Sequence, residues 1–94
     1  VVAIVLEGSN SSPIVRKIVG STEPLNSDVG TIRGDYTIDS YDLADTDNRA
    51  VRNLVHASAN QFDSDYEIKV WFGENEIYSY KNVRDIVLYD ENFI

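Results

Sequence analysis

Ninety-four residues at 10.6 kDa leave room for one small domain or part of one. The chain is 43% hydrophobic and 26% charged, the balance of a globular protein, and sixteen acids against eight bases give a net charge of -8 and a pI near 4.3. That field disfavours nucleic acid and anionic membrane as main partners, and the lack of any cysteine excludes thiol catalysis, disulfides and thiolate metal sites.

The chain opens inside an apolar, β-branched run, Val1 to Leu6, and contains no methionine, from which a processed or truncated product is expected. This run is too short to span a membrane, and it reads as a strand buried on both faces in the centre of a sheet. No signal peptide is visible ahead of it. Ser9, Asn10, Ser11 and Ser12 then offer N-cap groups, Pro13 suits a first helical turn, and Ile14, Val15, Ile18 and Val19 recur at helical spacing before Gly20. They predict a short amphipathic helix. From Ser21 to Gly34, proline, glycine, asparagine and aspartate break any period and predict a long ordered loop of the functional kind.

Residues 36–52 are polar and acidic, with Asp39, Asp42, Asp45 and Asp47 along them, and read as a surface excursion. Those acids lack the glycine and terminal glutamate of a calcium loop. Asn53 to Ala57 is a short strand candidate. A second helix is expected from about Asp63 to near Gly73, with Phe62, Tyr66 and Val70 as its apolar stripe and Trp71 and Phe72 in the core. The tyrosine-rich remainder, Tyr78 to Phe93, reads as a tail laid over a surface or a neighbouring subunit.

The single histidine, His56, lies at the end of the second strand candidate, in Asn-Leu-Val-His-Ala-Ser over residues 53–58. A strand end presents a side chain, although a lone histidine on a partly apolar strand is more often structural. Arg16 and Arg33 stand out as isolated cations in an acidic chain, and Arg33 sits in Gly-Thr-Ile-Arg-Gly-Asp, residues 30–35, where glycines allow close backbone approach to a ligand. Guanidinium forks match phosphate oxygens. Simpler readings exist for each: Arg16 on a solvated helix face, Arg33 paired with Asp35, Glu67 as helix decoration, and Thr22 and Ser58 as caps.

Taken together, Val1 to Gly8, Arg16 to Pro24, Gly30 to Asp35, Asn53 to Ser58 and Glu67 to Phe72 occur in an order and spacing that resembles the C-terminal two-thirds of nucleoside diphosphate kinase. The resemblance implies a ferredoxin-like α+β fold with an antiparallel four-stranded sheet, of which residues 1–94 form a partial domain carrying an acidic insertion at about 36–52. The family's N-terminal part would be absent from this chain, or supplied by a separate one. The implied reaction is ping-pong transfer of a γ-phosphoryl group from a nucleoside triphosphate to a nucleoside diphosphate through phosphohistidine on His56. Carried over by residue, Glu67 and Ser58 would orient His56, Arg16, Thr22 and Arg33 would hold phosphates, and Asn53 would meet the sugar 3′-hydroxyl. Mg²⁺ would be held mainly by the nucleotide, with no protein metal site. A cytoplasmic homo-oligomer, hexamer or tetramer, is also implied. Departures from the family pattern are Ala57 in place of the usual glycine after the histidine, and Ala59-Asn60 in place of an acid and serine after Ser58. The competing expectation is a catalytically impaired fragment acting as a nucleotide-binding or assembly module.

Overall fold

The computed structural model describes residues 1–89. Its elements are α1 (Ser11–Val19), a 3₁₀ turn (Pro24–Asn26), α2 (Ile32–Tyr36), α3 (Tyr41–Thr46), α4 (Gln61–Trp71), a second 3₁₀ turn (Glu74–Glu76) and α5 (Val83–Tyr89). Among the described residues there is no strand.

Helix α1 follows the predicted span. The Ile14 amide donates to the Asn10 carbonyl at 3.0 Å, Arg16 and Lys17 occupy the last turn where the helix dipole favours cations, and Gly20 ends the helix at φ 98°. Only glycine fits there without strain. A Cβ on Gly20 would also lie 2.8 Å from the Thr31 hydroxyl. Helix α4 begins where Asn60 accepts the Asp63 amide at 2.8 Å, two residues earlier than the apolar pattern indicates.

Two strand expectations fail. Val1, Val2, Ile4 and Leu6 are 115%, 84%, 71% and 61% exposed, and neither this run nor residues 53–57 is paired in a ladder. A strand exists only through its neighbours' hydrogen bonds, and no described segment lies alongside to supply them. The stripe of α4 is also turned outward: Phe62, Tyr66 and Val70 are exposed, as is Trp71, while Asp63, Ser64, Glu67 and Ile68 form the half-buried face.

The 36–52 segment is more than a surface excursion. Ala44 of α3 is 1% exposed, and Asp39 is 6% exposed beneath an ion pair with Arg49. The preceding loop holds α3 at its start, where the Glu23 Oε2 accepts the Tyr41 amide at 2.8 Å. Val19, Pro24 and Ala44 are the buried apolar side chains among the described residues, and they share the interior with Glu23, Arg33 and Asp39. Such charges are tolerated inside only when bonded, and each of the three is. Of the tail, Tyr89 accepts the Ser9 amide through its hydroxyl at 3.1 Å, and Phe93 lies outside the described residues.

Candidate active site

Residues 53–58 carry no regular structure, and Leu54 takes a left-handed φ of 69°. This reversal interrupts the alternation of a strand. Asn53 and His56, which a regular strand would send to opposite faces, line one cleft of about 330 Å³ together with Arg16, Thr22, Arg33 and Glu67.

The His56 Nε2 is bonded to the Glu67 Oε1 across the cleft. His56 is 78% exposed and Glu67 29%. The bond to His56 and a second from Ser58 hold the Glu67 carboxyl below its ordinary range. Ser58 thus reaches the site through Glu67. With Nε2 occupied by a carboxylate, the imidazole keeps its proton on that nitrogen, which leaves the Nδ1 lone pair available.

Both arginines bracket the histidine through its neighbours' carbonyls. Arg33 Nη2 donates to the Val55 carbonyl at 2.7 Å and Nη1 to that of Gly20 at 3.1 Å, while Arg16 Nη1 donates to the Ala57 carbonyl at 3.3 Å. Arg33 is 4% exposed, and its buried Nε has no partner among the described residues. Burial first, and the Arg16 charge second, push the Arg33 guanidinium below its ordinary pKa. Two guanidinium groups, Arg16 and Arg33, face the cleft beside the Asp63 and Glu67 carboxylates, and their planar donor forks are suited to an anion.

Helix α2 delivers Arg33 by a local device. Thr31 caps the helix by accepting the Gly34 amide at 3.0 Å, and Asp35 accepts the Gly30 amide at 2.8 Å. Asp35 is therefore engaged with its own loop, while Arg33 spends its donors on Gly20 and Val55. Asn53 Nδ2 donates to the Thr22 carbonyl at 2.9 Å, joining the two walls of the cleft. Neither Thr22 nor Ser58 caps a helix; those positions belong to Glu23 and Asn60.

A second cavity of about 740 Å³ lies beside the first, between the starts of α1 and α4, and shares Arg16 and Ala59 with it. Asp63 also lines the smaller cleft and was not singled out by sequence reasoning; its place on the same helix face as Glu67, four residues apart, was the available signal. Among the described residues no group of three or more His, Cys, Asp or Glu side chains is placed to hold a metal ion, and no helix is long and apolar enough to cross a membrane.

Comparison with known proteins gives these features a lineage. The sequence profile described as "Nucleoside diphosphate kinase" matches residues 1–77. The chain is 51% identical over 77 residues to the nucleoside diphosphate kinase of Pyrobaculum aerophilum, which covers 82% of this chain and 42% of that protein. It is 43% identical over 81 residues to the enzyme of that name from Borreliella burgdorferi, covering 86% and 48%. Among solved structures, a transition-state mimic of nucleoside diphosphate kinase from Borrelia burgdorferi with bound vanadate and ADP superposes with a TM-score of 0.81 at 40% identity, over 85% of this chain and 48% of that one. The Pyrobaculum aerophilum NDP kinase superposes with a TM-score of 0.75 at 50% identity, over 77% and 40%. The chain spans about half the length of the curated relatives it matches. Matched across most of its own length by profile, by sequence and by backbone, the chain belongs to the nucleoside diphosphate kinase family.

Proposed function

We propose that the protein is a nucleoside diphosphate kinase whose phosphoryl carrier is His56. The observation that carries this reading is the exposed imidazole with Nε2 bonded to Glu67 and guanidinium groups on both sides of its backbone. The Nδ1 lone pair attacks the γ-phosphorus, the bond from that phosphorus to the β,γ-bridging oxygen breaks, and the nucleoside diphosphate leaves with the electron pair. A second nucleoside diphosphate then takes the phosphoryl group by the reverse steps, and His56 returns to its neutral form.

Glu67 stabilises the Nε2 proton as positive charge grows on the ring, and Ser58 holds the carboxylate in line. Arg16 and Arg33 supply fixed positive charge to the transferring group, with Thr22 and Asn53 as the polar wall for phosphate and sugar. That a family relative was solved with vanadate and ADP supports a phosphoryl-transfer cleft of this kind. Mg²⁺ would enter with the nucleotide substrate, held mainly by its phosphate oxygens. In the whole protein, Val1–Leu6 joins the ferredoxin-like antiparallel sheet, and the protein works as a cytoplasmic hexamer or tetramer.

The test is to incubate the intact protein and a His56→Asn variant with γ-phosphoryl-labelled ATP. The wild type is expected to take up acid-labile, base-stable label that a nucleoside diphosphate discharges, and the variant to take up none. Nucleotide binding without label would leave a binding module and reject the kinase.

A further inference from the structure

The acidic 36–52 segment contributes no lining to the cleft, yet its hydrogen bonds end beside residues that do. Asp39 holds Arg49 in a two-pronged pair, Oδ2 to Nη1 at 2.6 Å and Oδ1 to Nη2 at 3.0 Å. The same Oδ2 accepts the Arg52 amide at 2.7 Å, and the Asp39 carbonyl accepts the Leu25 amide at 3.1 Å. Arg52 is followed by Asn53, whose Nδ2 donates to the Thr22 carbonyl at 2.9 Å, and Thr22 leads back to Leu25 along the chain. The circuit is closed: Thr22, Leu25, Asp39, Arg52, Asn53 and Thr22 again.

Thr22 and Asn53 line the cleft, whereas Asp39 is buried outside it. A ring closed by hydrogen bonds is fixed in size only while every bond is made, and a buried acceptor that is lost leaves its donors unpaired. Removing the Asp39 carboxylate leaves the Arg52 amide unpaired and Arg49 with only Asp47 and the Ala50 carbonyl, and the segment that sets Asn53 opposite Thr22 loses its outer support. No other described contact does this work for the Arg52 amide. Thr37 donates to the Arg52 carbonyl at 3.3 Å, which restrains the peptide from one side only.

We propose that Asp39 is a positioning residue for nucleotide binding: through the Leu25 and Arg52 amides it sets the spacing of Thr22 and Asn53, and so the cleft wall that receives the nucleoside diphosphate. The inference rests on the kinase reading above. It makes the acidic insertion a part of the binding apparatus although no atom of it meets the ligand.

Steady-state transfer by the intact protein tests it, with Asp39→Ala, Asp39→Asn and Arg49→Met. Asp39→Ala is expected to raise KM for the nucleoside diphosphate about tenfold with kcat within about twofold, a misplacement effect on binding rather than on the reacting group. Asp39→Asn keeps an oxygen for the Arg52 amide and recovers most of the loss. Arg49→Met keeps both amide bonds to Asp39 and stays near the wild-type KM. If Asp39→Ala does not fold, the ordering of the other two variants carries the test. An unchanged KM in Asp39→Ala, activity lost only in proportion to the fraction able to take up phosphate, or a KM raised as far in Arg49→Met, overturns the inference alone. A wild type that takes up no phosphate overturns the kinase reading first.

Discussion

At the scale of single residues, the cleft turns on how Glu67 is held. Bonds from His56 and Ser58 favour its charged form and lower its pKa, so its support of the imidazole is complete above the ordinary glutamate value near 4.3 and is lost only as pH falls through the lower folded value. Glu67→Gln removes the charge and is expected to slow phosphoryl uptake about 10²-fold at neutral pH, toward the low end of what a positioned acid–base group contributes. A carboxyl titration followed by NMR should find Glu67 below the ordinary glutamate value, and Ser58→Ala should move it back toward that value. Titration of Glu67 at the ordinary glutamate value in the wild type would contradict the pairing.

At the scale of elements, α2 is five residues long and exists to present Arg33. A Cβ at Gly34 would lie 2.1 Å from the Asp28 carbonyl oxygen, a collision with backbone that cannot swing aside. Gly34→Ala is therefore expected to cost about 1–3 kcal/mol by overpacking and to displace Arg33, read as a lower thermal midpoint and a raised KM for nucleotide. A midpoint within 1 °C of wild type would show that the loop yields. The spans of α1 and α4 were legible because helical spacing and the glycines that close it act locally, although no side chain caps the start of α1 and the apolar stripe of α4 faces outward. Helices α2 and α3 were not, since five and six residues are too few for a period to appear and their order comes from Thr31, Ser40 and Asp39 bonding to neighbours. The seven candidate site residues were picked out through family resemblance rather than periodicity. The structure gathers six of them around one cleft and ties Ser58 to it through Glu67. Asp39 escaped notice because four aspartates in a row of similar context give no hint of which one folds inward.

At the scale of the whole molecule, the accessible surface is 8075 Å² against about 5,500 Å² for a compact protein of this mass, and the radius of gyration is 16.7 Å against about 12 Å. Much of the excess is apolar and begins with Val1, Val2, Ile4 and Leu6. Surface of this kind binds hydrophobic dyes and promotes association. The 94-residue chain is expected to enhance ANS fluorescence strongly at neutral pH, and Ile4→Glu with Leu6→Glu to reduce that signal by about half. An unaltered signal would assign the exposed patch to the other end of the chain, around Tyr78 and Tyr80. The sheet expected from the β-branched run did not appear for the same reason: pairing is a property of two segments, and the sequence of one cannot supply it.

The left-handed turn at Leu54 divides the chain into regions of unequal tolerance to insertion and deletion. One residue added or lost between Asn53 and His56 would turn one of them out of the cleft. In the acidic segment, by contrast, length can change around the exposed Asp47 and Asn48, so long as Ala44 stays buried and Asp39 still meets Arg52. Length variation among descendants of this sequence is expected to collect in that acidic segment and to stop abruptly at Asn53.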